Sequence, residues 1–166
     1  MKTNRRTFLT RALIAGALPG ALGAGVHAGD KSSAARVVIV TGIDYPGHLW
    51  RETTPVLATQ LRREPRLRVE VKETPEFLAD PTLFEFDAVV FHWMNWEKPA
   101  PGDAARENFR KFVESGKGLV LVHFACGAFQ DWPEFRNIAG RVYDPKLPPH
   151  DPRGPYTVKI ADAALS

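Results

Sequence analysis

The sequence predicts an α/β fold in which helices flank a parallel, Rossmann-like or flavodoxin-like β-sheet. Three observations predict it. Short β-branched and aliphatic runs, of the length of strands buried on both faces, alternate with segments of helical periodicity. The chain has no internal repeat and no low-complexity tract, and its composition of 44% hydrophobic and 25% charged residues is that of a globular domain. Histidines follow three of the runs, and ligands of such sheets bind beyond the carboxyl ends of the strands.

The first 28 residues have the pattern of an export signal. Asn4–Thr10 contains an arginine pair and is followed by the uncharged, Gly/Ala-rich run Ala12–Val26. This pattern is typical of a twin-arginine signal peptide. We predict cleavage after Ala28, a linker over residues 29–34, a domain over residues 35–166, and a periplasmic location. The alternative is a retained membrane anchor, but the run is short and weakly apolar for a span of about 20 residues.

The charge of the chain limits the classes of binding partner, and its cysteine content limits the disulfide bonds that it can form. The whole chain has a formal charge of +3, and residues 1–28 hold four basic residues and no acid, so the remaining domain carries −1. Binding to nucleic acid or to an anionic membrane needs a clustered basic face. The one basic cluster, Arg62–Arg68, fits a solvated helix end. We therefore predict no nucleic-acid partner and no stable membrane span after cleavage. The single cysteine excludes an intrachain disulfide.

The first half of the domain is predicted to form a strand–helix–strand unit. Ala35–Thr41 is a continuous apolar run and predicts a buried strand. Thr53 or Thr54 is predicted to cap the following helix, with Pro55 in its first turn. Leu67–Lys72 alternates apolar and charged residues, which predicts a second strand nearer an edge of the sheet.

The second half continues the alternation. A proline-punctuated segment, Thr74–Phe84, precedes a predicted strand over Asp87–Phe91. Ala104–Glu114 has apolar residues at helical spacing and predicts a helix. After an irregular stretch, Tyr156–Ile160 predicts a further strand.

The stretch that organises the chain lies between the predicted helix Ala104–Glu114 and the predicted strand Tyr156–Ile160. Leu119–Val122 predicts a strand buried on both faces, and small residues over Ala125–Ala128 allow a sharp turn. Phe129–Ala139 then has the apolar spacing of a short helix. A strand, a tight turn and a helix are the geometry of a nucleophile elbow, which presents one side chain at the carboxyl edge of the sheet. We predict His123 or a near neighbour at that position.

With these pieces in place, the chain over about residues 35–162 resembles the ThuA-like (trehalose-utilisation) family, which has a class I glutamine amidotransferase-like fold. The order and spacing of several short pieces carry the resemblance: Val40–Gly42 with the His48 loop, Thr53–Pro55, Asp87–Phe91, Gly116–His123, Trp132–Phe135, Ile138–Gly140, and His150 before Tyr156–Ile160.

The resemblance has two implications. Amidotransferase relatives place a Gly-x-Cys sequence at the elbow, whereas this chain has Leu121, Val122 and His123, so the resemblance excludes glutamine hydrolysis by the cysteine route. Family members continue past the position of Asp162 with a His-Pro segment and a further strand and helix, so we expect the domain to be incomplete at Ser166. The family's link to trehalose implies a carbohydrate partner and keto-sugar chemistry.

Several polar and aromatic residues are candidates for the site. His123 and Asp44 are the predicted catalytic residues. His123 is the predicted general base, because a neutral imidazole carries one donor and one acceptor near physiological pH. His92 is predicted to be structural, between Phe91 and Trp93. Side chains in the neighbouring loops and aromatic residues that can stack on sugar rings are predicted to bind substrate: His48, Tyr45, Trp93, Trp132 and His150. Trp96 is a further aromatic candidate for stacking on a sugar at the carboxyl edge of the sheet.

Each assignment has an alternative. Core packing would account for one or two of the aromatic residues. Cys126 is read as a small buried side chain rather than a nucleophile, and Asp131 as the cap of the last helix rather than a base. A divalent metal such as zinc is the one cofactor considered, with candidate ligands His48, His123 and His150, although no His-x-x-x-His pair or cysteine cluster fixes it.

The functional prediction is an exported domain that acts on a sugar or keto-sugar derivative by general-base or metal-assisted chemistry. The alternatives are a carbohydrate-binding module without catalysis and an inactive fragment.

Overall fold

A computed structural model describes residues 34–44, 47–95, 98–144, 146 and 154–159. These residues contain a four-stranded, fully parallel β-sheet in the order β2-β1-β3-β4, and the predicted α/β fold is confirmed. The strands are β1 Ala35–Val40, β2 Leu67–Lys72, β3 Ala88–Phe91 and β4 Gly118–Leu121. The alternating strand, β2, lies at one edge of this sheet, as its sequence predicts.

The described residues also form three α-helices and three short 3₁₀ segments, of which the last 3₁₀ segment and the last helix follow β4. The helices are α1 Trp50–Leu61, α2 Asp103–Glu114 and α3 Phe135–Ala139. The 3₁₀ segments are Pro75–Ala79, Pro81–Glu85 and His123–Gly127. None of the helices in the described ranges is long and apolar enough to cross a membrane.

The two faces of the sheet bury different halves of the core. Val37, Ile39 and Val90 pack with Ala58 of α1 on one face. The other face carries a larger cluster that includes α2, α3 and the 3₁₀ segments, and its largest members are aromatic: Phe77, Phe86, Phe91, Trp93, Phe109, Phe112, Phe129 and Phe135. Because both faces are covered, the central strands read as continuous apolar runs.

The strand order places a topological switch point between β1 and β3. The chain moves from β1 through α1 to one side, and from β3 through α2 to the other. In doubly wound sheets the crevice beyond the carboxyl ends of such strands is the usual ligand position. Gly42 follows β1 there with a φ of +115°, and a Cβ at this position would overlap the carbonyl oxygen of Glu73. The chain can therefore leave β1 in this direction only with glycine.

The start of α1 differs from the prediction. The helix begins at Trp50, so Thr53 and Thr54 lie inside it and Pro55 is an internal residue. Asp44 explains the earlier start, because its Oδ1 accepts a hydrogen bond of 3.1 Å from the backbone N–H of Trp50. A carboxylate six residues upstream thus supplies the acceptor that a capping threonine was expected to give.

Two further predictions were wrong in extent. Only Phe135–Ala139 of the predicted helix Phe129–Ala139 is α-helical, since residues 130–131 and 133–134 form turns. Phe129 has a φ of +50°, which a right-handed helix cannot accommodate. Residues 156–159 of the predicted strand Tyr156–Ile160 form no strand, and Ile160 lies outside the described residues. Tyr156 is 85% exposed, and none of the described strands pairs with this segment.

Candidate functional site

His123 occupies a sharp turn at the carboxyl end of β4. It opens the 3₁₀ segment His123–Gly127 and has a φ of +48°, a left-handed conformation that costs a non-glycine residue about 1–3 kcal/mol. The small residues beyond it are packed rather than merely permissive, since a Cβ on Gly127 would lie 2.9 Å from Cε of Met94. The predicted strand and tight turn are present, with an exposed histidine at the elbow, but the helix begins only at Phe135 and does not follow the turn directly.

A second histidine lies against the first. Nε2 of His48 is 3.1 Å from Nδ1 of His123, and the two rings stack with centroids 5.0 Å apart at an interplanar angle of 24°. One ring must donate its N–H to the lone pair of the other, because a neutral imidazole has one donor and one acceptor. The two imidazoles, which follow β1 and β4, therefore form an acid–base pair at this edge of the sheet.

A third histidine lies beneath this pair. His92 follows β3 and is buried, and its Nδ1 is 2.8 Å from Oγ1 of Thr54. That hydroxyl lies 3.1 Å from Oγ1 of Thr41, which in turn donates to the carbonyl oxygen of His92 at 2.9 Å. Phe124 packs between the layers, with ring centroids 4.5 Å from His48 and 5.4 Å from His92. The structure thus gives His92 the structural position that the sequence favoured.

Burial lowers the pKa of His92 below its ordinary 6.5, and the charge on His48 lowers it further. Since the folded-state pKa is below the unfolded one, the unfolded chain takes up this proton at the higher pH. The stabilisation from neutral His92 is thus complete above about pH 6.5 and is lost as the pH falls through that value towards the folded-state pKa. We expect the urea concentration at the midpoint of unfolding to decrease as the pH is lowered from about 7.5 to about 5.

Replacing His92 by Asn tests the assignment of this slope. Asn keeps a polar group near the position of Nδ1 for the Thr54 hydroxyl but does not titrate. The variant should therefore show a shallower loss of stability over the same pH interval, whatever its stability at neutral pH. An unchanged slope would assign the pH dependence to other groups.

Asp44, the other predicted catalytic residue, contacts residues at the start of α1. Besides accepting from Trp50, its carboxylate forms an ion pair of 3.5 Å with Arg51, and the side chain is exposed. Both interactions belong to the start of α1. Its catalytic role stays a prediction from the sequence.

The predicted aromatic and loop residues separate into three groups. Trp93 is fully buried, stacks obliquely on Phe91 and has an indole nitrogen without a partner among the described residues, so core packing accounts for it. Trp132 is partly exposed and lines a cavity beside the elbow. The predictions for Tyr45, Trp96 and His150 lie outside the described residues.

The capping role predicted for Asp131 was wrong, whereas the structure does not decide between the two interpretations of Cys126. Asp131 does not cap α3, whose first flanking residue is Glu134. Its carboxylate instead binds Arg106 at 2.6 Å. Cys126 is half-buried, and its carbonyl oxygen accepts a hydrogen bond of 3.0 Å from the backbone N–H of Tyr143.

The described residues contain no group of three or more His, Cys, Asp or Glu side chains arranged to hold a metal ion. His48 and His123 supply two nitrogens that already share a hydrogen bond. His150, the third candidate ligand, lies outside the described residues.

Sequence reasoning missed two parts of this region. Thr41 and Thr54 were read as a strand end and a cap, yet their hydroxyls hold His92. The polar threonine at the end of an apolar strand was the available signal. The cavity beside the elbow, of about 320 Å³, was also missed because one of its walls comes from residues 142–144 and 146, whose sequence has no regular pattern.

Comparison with known proteins gives a family match and two structural neighbours. The family model described as ThuA, trehalose utilisation, matches residues 36–165. A ThuA-like protein from Parabacteroides merdae aligns with a TM-score of 0.53 and 25% identity over 63% of this chain and 37% of its own. A ThuA-like protein from Bacteroides uniformis aligns with a TM-score of 0.54 and 19% identity over 67% of this chain and 45% of its own.

The chain therefore spans less than half the length of each of these two structures. The second likeness, at 19% identity, concerns the fold alone. The comparison with curated proteins gave no match.

Proposed function

Because the chain belongs to the ThuA family, we propose that it acts on a sugar or keto-sugar derivative, with His123 as general base. The reaction is abstraction of a proton from a sugar carbon next to an oxidised carbon. The observation that carries this proposal is the His48–His123 pair at a strained turn on the carboxyl edge of the sheet. Backbone strain of this kind concentrates at functional sites.

The hydrogen bond between the rings fixes which atom can act. When His123 donates from Nδ1 to Nε2 of His48, its own Nε2 carries a free lone pair and can accept a proton. The electron pair of the broken C–H bond then moves towards the neighbouring carbonyl carbon, and the carbonyl oxygen takes the charge as an enolate. The imidazolium formed on His123 keeps its Nδ1–H bond to His48, which holds the ring in place.

Export through a twin-arginine signal over residues 1–28, followed by action in the periplasm, is part of the same proposal. Its support is the paired arginines ahead of an uncharged run. The predicted amidotransferase-like relationship also belongs to the proposal, but without cysteine chemistry. The elbow residue is a histidine, and a metal such as zinc on this pair enters only as an alternative way of polarising the substrate.

Deuterium exchange tests the proposal. The full chain is incubated in D₂O with keto-glucosides and keto-trehalose and, as controls, with the parent glucosides, and loss of the C–H signal is followed by ¹H NMR. We expect accelerated exchange only at carbons next to the carbonyl. No acceleration over buffer for any keto-sugar would contradict the proposal.

The second candidate function is a carbohydrate-binding module. The partly exposed Trp132 at the cavity favours it, because aromatic faces suit sugar C–H groups. Binding of sugars without exchange of any C–H would support this candidate over the enzyme.

A further inference from the structure

A cavity of about 320 Å³ lies beside the elbow and is not lined by either histidine of the pair. One wall is α3 with the turn before it, and the other contains residues 142–144 and 146. The hydrogen bond from Tyr143 to the carbonyl of Cys126 joins the second wall to the 3₁₀ segment that begins at His123. The cavity is thus attached to the elbow, and its size suits a small ligand.

Two cations on this cavity have no counter-ion among the described residues. Arg136 and Lys146 line it and form no ion pair there, whereas Arg36, Arg106 and Arg110 are each held by two carboxylates. The acid among the described lining residues is Asp144, whose Oδ1 accepts a hydrogen bond of 2.9 Å from the backbone N–H of Lys146. The described part of the lining therefore has one more positive than negative side chain and favours an anion.

The apolar wall of the cavity is rigid and aromatic. Trp132 packs against Phe129 at 5.1 Å and Phe135 at 6.5 Å between ring centroids, and part of the indole remains exposed. Phe129, also a lining residue, is the second non-glycine residue with a positive φ, at +50°. Strained backbone at a cavity wall is a feature that binding sites retain.

We propose that this cavity binds a sugar acid. Arg136 and Lys146 bind the carboxylate, Asp144 and Gln130 bind ring hydroxyls, and the exposed part of Trp132 contacts the ring face. The proposal goes beyond the proposed function, because neither His48 nor His123 lines the cavity, and it rests on that function only for the choice of a carbohydrate over another ring-bearing anion.

Calorimetric titration of the full chain at low salt with glucuronate, methyl glucoside and benzoate tests this proposal. We expect glucuronate to bind at least about tenfold more tightly than neutral methyl glucoside, because a charge-assisted contact is lost with the carboxylate. Benzoate, which has a ring and a carboxylate but no hydroxyls, should bind more weakly than glucuronate. Equal binding of glucuronate and methyl glucoside, or binding of benzoate as tight as that of glucuronate, would overturn the proposal.

Variants locate the binding and separate the two proposals. Arg136→Gln and Lys146→Gln should each raise the Kd for glucuronate by about tenfold. Arg63→Gln is the matched control, because Arg63 is also an exposed arginine but does not line the cavity. This substitution should leave the Kd for glucuronate unchanged. If the cavity variants bind glucuronate like the control, the proposal is wrong. Glucuronate binding that depends on Arg136, without C–H exchange on any keto-sugar, would refute the base chemistry and leave the cavity assignment standing.

Discussion

Replacement of His123 by Gln is expected to slow C–H exchange on a keto-sugar substrate by about 10²–10⁴, the usual contribution of a positioned general base. Gln is close in size and keeps polar atoms within reach of His48, but it cannot accept a proton at neutral pH. The residue is exposed at the turn, so the fold loses no core contact. Initial exchange rates by ¹H NMR at saturating substrate give the comparison.

Two controls make this result specific to His123. Asp131→Asn changes another exposed polar residue of the same region, bound to Arg106, and should keep the wild-type rate within about twofold, a loss well below the base contribution. Matching circular dichroism spectra and urea midpoints show that the His123 variant is folded. If the folded variant exchanges at the wild-type rate, His123 is not the base.

Apolar patterning accounts for the part of the structure that the sequence predicted. Strands covered on both faces must be apolar throughout, so β1 and β3 were visible as runs, and β2 as an alternating edge strand. The prediction that Leu119–Val122 is buried on both faces was wrong, because β4 is an edge strand of the described sheet and Val120 is 50% exposed. The elbow followed from a run that ends in His123 and small residues. These signals are local, and a single sequence contains them.

Features that depend on distant partners were predicted less well. The start of α1 is set by Asp44, six residues before the helix. Asp131 binds Arg106, 25 residues away, instead of capping α3. The shortened α3 follows from the conformation of Phe129, whose ring is held by Phe91, Trp93 and Phe109. Apolar spacing could not reveal this, because a helix and an irregular turn can bury the same residues.

The meeting of His48 and His123 lies between these two cases. The sequence predicted that both histidines follow strands of one sheet and lie at the same edge, since the carboxyl ends of parallel strands share an edge. The contact between their nitrogens depends on how the loop after β1 returns, which Gly42 directs through a conformation that the sequence marks only by a glycine. Proximity could therefore be predicted, and the hydrogen bond could not.

Replacement of Phe91 by Ala should have the largest effect on stability, lowering the free energy of unfolding by about 3–5 kcal/mol. Phe91 is fully buried at the end of β3, and its ring lies 4.7 Å from that of Phe109 on α2 and 6.4 Å from that of Phe135 on α3. It also faces Phe129, at 6.2 Å. One substitution thus opens a void at the junction of the sheet, both helices and the wall of the cavity.

Urea unfolding followed by circular dichroism measures the loss, with Phe84→Ala as the matched control. Phe84 is 37% exposed and contacts Phe112 at 6.4 Å, so its truncation should cost less than about 1 kcal/mol. Domains of this kind are stable by about 5–15 kcal/mol, so the Phe91 substitution should remove a large fraction of the stability while the Phe84 substitution removes little. Similar losses in the two variants would mean that the aromatic cluster around Phe91 is not the stabilising core of this face.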